Sequence, residues 1–247
     1  MAPWQYLLLF STALAGGGLA MLGHERIREQ LPTLLSFSGA YLLAIAALEL
    51  IPDVFGSHLN ASPGVFLLLG FSVQLLLEGF SQGVEHGHVH VYRHAHRGYA
   101  LQVMFGLGVH ALLEGLPLGA GGAAGEELMG THAHAYGDHL LAGIAMHKLP
   151  AAFALGLLLR HSGYGKGFTW ACLSVFGLLS PLGAGLGELA SINPVWRTRI
   201  LALVVGSLLH ISTTILFESD GSHRHGISVR KFLVILAGML VAYLTAR

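Results

Sequence analysis

Residues Tyr99–Ala120 read YALQVMFGLGVHALLEGLPLGA. A run of this kind matches the roughly 20 apolar residues that a helix needs to cross a bilayer. It nevertheless carries a histidine and a glutamate, His110 and Glu114, where lipid would be expected. A spacing of four puts both side chains on one helix face, one turn apart. An imidazole nitrogen and a carboxylate oxygen there can meet one ion, or each other. Pro117 follows three residues later. It removes a backbone hydrogen bond and loosens the preceding turn, which membranes tolerate where a helix lines a cavity.

Seven further apolar runs accompany this one, giving segments at about 4–22, 34–55, 63–85, 99–120, 140–159, 168–189, 199–218 and 230–246. The 247 residues are 53% hydrophobic and only 11% charged, against about 25% charged in an ordinary soluble domain. Lipid offers the backbone no hydrogen-bond partners, so spanning segments are helices or closed barrels. These runs are too long and continuous for barrel strands. The expectation is a single all-α polytopic membrane domain over residues 1–247, a bundle of eight transmembrane helices. "PLGAG" occurs at both Pro117–Gly121 and Pro181–Gly185, which hints at related halves. Independent use of a sequence that packs closely explains it equally well.

Charge orients the bundle. Arg26, Arg28, Arg93, Arg97, Arg160, Lys166, Arg224, Arg230 and Lys231 fall on one side; Arg197, Arg199 and Arg247 fall on the other. The first side is cytoplasmic by the positive-inside rule, so both termini face outward. The compact chain suggests a bacterial inner membrane. Lys+Arg and Asp+Glu balance at 13 each, giving no reason to expect a nucleic-acid partner. The 34 glycines permit close helix contacts and, with them, a homodimer. The single cysteine, Cys172, excludes an internal disulfide and suits packing.

Sixteen histidines outnumber Lys and Arg together. The cytoplasmic loop 86–98, within EHGHVHVYRHAHR (Glu85–Arg97), holds His86, His88, His90, His94 and His96. Such composition suits transition-metal binding. The outer stretch GGAAGEELMGTHAHAYGDH, Gly121–His139, has three acids, three histidines and no Lys or Arg. Either loop can also be read as a solvated polar segment.

Ionisable residues inside spans are costly and point to function. Here they are Glu49, Asp53, Glu78, His110, Glu114, His147, Lys148, Glu188, His210 and Glu218. Asp53, Glu188 and Glu218 lie near span ends and can reach interfacial water. The fifth segment repeats the logic of the fourth with MHKLPAA, Met146–Ala152, where His147 precedes Pro150. Two proline-interrupted helices, each presenting a histidine, can hold an ion between them. The competing reading is a His–Glu hydrogen bond that staples two helices.

These motifs also carry a family resemblance. HALLEGLPLGA resembles the fourth-helix His-Asn-x-x-Glu-Gly stretch of the ZIP (Zrt-, Irt-like) metal transporters, and HKLPAA resembles their fifth-helix His-Glu-x-Pro stretch. ALELIPDVF (Ala47–Phe55) and SPLGAGLG (Ser180–Gly187) resemble the second- and sixth-helix motifs. The resemblance implies an eight-helix bundle with inverted-repeat character that imports a divalent cation. Zn2+ is the first expectation, with Fe2+ or Mn2+ as alternatives. It implies a metal site at His110, Glu114 and His147; Glu49, which aligns with the second-helix histidine, and the intramembrane residues Glu78, Lys148 and His210 are candidate accessory residues beside it. No other cofactor is implied.

The chain departs from the family where a second metal would bind. Ala111 replaces the family's Asn, Lys148 and Ala151 replace two acids on the fifth helix, and Ser180 replaces the acid before the sixth-helix proline. One metal, not two, is therefore expected. The Lys148 ammonium can stand where the second cation would be, paired with Glu114, Glu78 or Glu188. A lysine that snorkels to an interface is the other reading. Two rival functions remain: a transport-inactive relative that binds or senses metal, and an intramembrane metal-dependent enzyme. The enzyme is disfavoured, because neither a His-Glu-x-x-His zinc helix nor a Gly-x-Ser-x-Gly elbow occurs.

Overall fold

The computed structural model describes residues 1–23, 25–56, 61–87, 97–120, 132–190, 193–217 and 228–246. Among them are nine α-helices and no strand. They are α1 (Pro3–Met21), α2 (Glu25–Ile45), α3 (Ile51–Gly56), α4 (Pro63–Ser81), α5 (Arg97–Ala120), α6 (His132–His161), α7 (Lys166–Ala190), α8 (Pro194–Phe217) and α9 (Val229–Thr245). A π-helical turn, Ala46–Leu50, joins α2 to α3, so the two read as one long element. A short 3-10 turn, Val84–His86, follows α4.

Six helical stretches among the described residues are long and apolar enough to cross a membrane: Arg28–Gly56, Pro63–Ser81, Gly98–Ala120, Gly137–His161, Lys166–Ala190 and Pro194–Phe217. The first and last of the expected spans are helical but fall outside this set. The apolar run of α1 is diluted by Gln5 and Gly16–Gly18, and α9 has only 17 residues. The histidines expected to bind metal at 88, 90, 94 and 96 lie outside the described residues, as do Glu218 and Gly121–Thr131 of the outer loop.

The bundle has its polarity inside out. Leu68, Leu75 and Leu76 on α4 and Leu233, Leu240 and Leu244 on α9 are exposed. His110, Glu114, His147, Lys148, Gln74 and Ser180 are buried. In water this arrangement would be unstable; around it lipid satisfies the leucines, while costly polar groups face one another. The chain is thus an all-α, multi-pass integral membrane protein.

Helices pair closely: α5 with α7, α1 with α6, α4 with α8, and α2 with α9. The α5–α7 contact explains where the candidate site sits. Gly115 and Gly119 on α5 face Gly183 and Gly187 on α7, each pair forming a Gly-x-x-x-Gly stripe. A Cβ at Gly115 would collide with the Ser180 carbonyl, and one at Gly183 with the Leu112 carbonyl. Only glycine allows this backbone approach. The contact brings Ser180 of α7 to the face of α5 that carries Glu114. The described part of the first PLGAG stretch, Pro117–Ala120, therefore meets α7 at the second.

Candidate metal site

α5 presents His110 and Glu114 one turn apart, as their spacing predicts, with His110 Nε2 3.4 Å from Glu114 Oε2. α6 presents His147 beside them. The two imidazole rings lie edge to face with centroids 6.1 Å apart. Pro117 and Pro150 both sit inside continuous helices. Neither proline has an amide hydrogen, so each leaves a carbonyl one turn earlier without its usual helical donor.

The imidazoles are the unusual feature. His110 and His147 are 2% and 1% exposed. His110 Nδ1 and both ring nitrogens of His147 have no hydrogen-bond partner. A buried polar group left unpaired costs about 1–3 kcal/mol, so three such nitrogens in one place need a reason beyond packing. A His–Glu staple accounts for one contact of His110 and for none of His147.

Glu114 is held from the opposite side. Its Oε1 accepts from Lys148 Nζ at 2.8 Å, and Ser180 Oγ lies 2.8 Å from the same oxygen. Lys148 Nζ also donates to Ser180 Oγ at 2.5 Å. Ser180 has one proton for two acceptors, Glu114 Oε1 and the Ala111 carbonyl, which is also 2.8 Å away. Lys148 rests 4.1 Å from the centre of the Phe176 ring, a favourable place for a desolvated cation. It is fully buried, which excludes snorkelling. Of the three partners considered for it, Glu114 is the one it meets.

The other candidates are engaged elsewhere. Glu188 accepts from Tyr6 Oη at 3.0 Å and from the Met1 amine at 2.5 Å. Glu78 of α4 pairs with His210 of α8 at 2.6 Å and with His86 at 3.5 Å. This gathers two accessory residues and one loop histidine into a second cluster, separate from the buried one. Asp53 pairs with Arg197 at 3.1 Å. Glu49 meets His139 of α6 at 3.0 Å. The sequence reading did not single out His139, although it closes the acid- and histidine-rich outer stretch.

Among the described residues, no three His, Cys, Asp or Glu side chains converge closely enough to hold an ion as they stand. His110, Glu114 and His147 are neighbours rather than a closed cage, and Lys148 occupies one Glu114 oxygen. Residues 82–246 match the family model described as ZIP Zinc transporter. The chain belongs to the ZIP zinc transporter family. The match spans His110, Glu114, His147, Lys148, Ser180 and His210, and leaves Glu49 and Glu78 outside it. Among curated relatives, Zinc transporter ZIP9 of Xenopus tropicalis is 28% identical over 179 residues, covering 68% of this chain and 56% of its own length. Zinc transporter ZIP9-B of Xenopus laevis is 29% identical over the same length and coverage. Zinc transporter ZIP9 of Micropogonias undulatus is 26% identical over 181 residues, covering 69% of this chain and 56% of its own. The match thus takes in little more than half the length of these relatives.

Proposed function

We propose that this protein carries a divalent transition metal, zinc before iron(II) or manganese, toward the cytoplasm through His110, Glu114 and His147. The observation that carries this reading is a pair of buried histidines with three unpartnered ring nitrogens, one of the rings also beside the buried Glu114 carboxylate, inside an apolar bundle. Two imidazoles and a carboxylate form a mixed N/O donor set suited to zinc, with a fourth position left for water. Incomplete ligation favours release, which transport requires. On this reading α1 and α9 complete eight spans with both termini outside. The Glu78–His210–His86 cluster and the histidine loop then lie on the cytoplasmic exit side, given the distribution of Lys and Arg.

Lys148 makes the site mononuclear. Its ammonium supplies a tethered positive charge to Glu114 Oε1, where a second cation would otherwise sit. Glu114 Oε2, turned toward His110, remains for the ion. Closing the three ligands around zinc requires the side chains to converge from their present positions.

The test is zinc influx into liposomes by wild type, His110→Ala and Glu114→Ala. Wild-type flux lost in both variants supports the proposal. Zinc binding without flux favours a metal-binding or sensing relative instead, a reading to which the Lys148 clamp on Glu114 lends weight. Absence of binding and flux with zinc, iron(II) and manganese overturns both.

A further inference from the structure

A Glu–His pair, Glu49 and His139, lies about two helical turns along α6 from His147. Glu49 sits in the π turn Ala46–Leu50. The cause of that turn is local. Pro52 has no amide hydrogen for the Leu48 carbonyl, and its ring crowds that carbonyl away. A wider turn absorbs the misfit and carries Glu49 with it. Glu49 Oε1 meets His139 Nδ1 of α6 at 3.0 Å. Its other oxygen, Oε2, is buried and has no hydrogen-bond partner. The His139 carbonyl accepts from Tyr41 Oη at 3.2 Å, which anchors the helix end bearing the imidazole. The His139 and Glu49 side chains are 21% and 13% exposed, so the pair is not sealed inside the bundle.

We infer that Glu49 and His139 form an outer capture seat for the transported metal, a separate site reached before the buried one. The inference rests on the transport reading given above. A carboxylate with a buried, unused oxygen beside an imidazole from another helix is a two-ligand N/O set, and water completes the shell of a zinc ion bound there. Two protein ligands make a weak site, which suits capture followed by transfer. The eight residues from His139 to His147 correspond to about 12 Å along a helix. That separates the seat from the buried ligands while keeping both on one element.

Site-resolved histidine footprinting on the full chain in liposomes tests this. Acylation of each histidine is read by peptide mass spectrometry across a zinc titration. The expected result is saturable zinc protection of His139. In Glu49→Gln, which keeps a hydrogen-bond acceptor but loses the charge, half-protection should move to roughly tenfold higher zinc, the shift that follows from losing about 1.4 kcal/mol of binding. In His110→Ala the His139 titration should be unchanged. The pair Glu49→Cys with His139→Cys should bind cadmium more tightly than wild type. No protection of His139, or equal protection in wild type and Glu49→Gln, overturns the inference. If protection behaves as expected but zinc flux is absent, the transport reading fails and the seat stands as a binding site.

Discussion

Replacing Lys148 with Met should unbalance the centre of the bundle in a way only a cation can repair. At the observed 2.8 Å, and with an effective dielectric of about 20, the gross attraction between Lys148 and Glu114 is about 6 kcal/mol. Burying both charges offsets much of that gain. Removing one partner is a different matter, because Glu114 is then a buried carboxylate without its counter-charge, a loss of about 3–5 kcal/mol. The Ser180 hydroxyl near the same oxygen recovers part of it. Denaturant unfolding of the detergent-solubilised protein, without metal, should therefore show Lys148→Met destabilised by about 3 kcal/mol. Glu114→Gln should be comparably destabilised, since it strands the ammonium instead. The double variant should cost less than the sum of the singles, with a coupling of about 2 kcal/mol. Added zinc should stabilise Lys148→Met more than wild type, because the metal there meets a carboxylate no longer neutralised by an ammonium. Coupling below about 0.5 kcal/mol, the usual scatter for independent sites, would refute the tethered-cation argument. So would a zinc response equal to that of wild type.

Other outcomes follow from single contacts. Gly183→Leu would drive a side chain against the Leu112 carbonyl, and should destabilise the fold by about 1–3 kcal/mol through overpacking and lower flux in the liposome assay. Ser180→Ala removes an acceptor for Lys148 but keeps the ion pair, so unfolding should register a loss of only about 1 kcal/mol, with zinc flux retained. His210→Ala leaves Glu78 without its 2.6 Å partner, and should slow zinc release to the inside while leaving zinc protection at His139 unaltered. Cys172, 8% exposed and buried against apolar neighbours, should resist membrane-permeant maleimide in the folded protein and react once it is unfolded.

The sequence made some of this legible because periodicity and lipid act along one helix. The four-residue spacing of His110 and Glu114 needed only helical geometry to put them on one face. The burial of Lys148 followed from its mid-span position. Contacts between helices were harder to read. Nothing in the order of residues distinguished Glu114 from Glu78 or Glu188 as the partner of Lys148, because that choice is made by the glycine faces of α5 and α7. PLGAG looked like a trace of repetition, and its structural use is the contact between the two copies. Glu49 was visible as a misplaced acid, but its pairing with His139 depends on the π turn that Pro52 imposes. Ser180 read as a missing carboxylate, whereas its hydroxyl now sits between Lys148 and Glu114.

The closest helix pairings sort the molecule into two groups, which also touch where α4 and α8 meet α5 and where α2 meets α6. α1, α5, α6 and α7 pack together, and α2, α4, α8 and α9 pack together. His110, Glu114, His147, Lys148 and Ser180 all belong to the first group, so one group could slide against the other without disturbing a single contact among these five. Glu78 and His210 both belong to the second. The Glu49–His139 pair joins one group to the other, and so does the Tyr41 hydroxyl on the His139 carbonyl. A latch of this kind holds only while the two groups keep their register. Any sliding that carried the buried cluster across the membrane would pull Glu49 and His139 apart and release whatever they held between them.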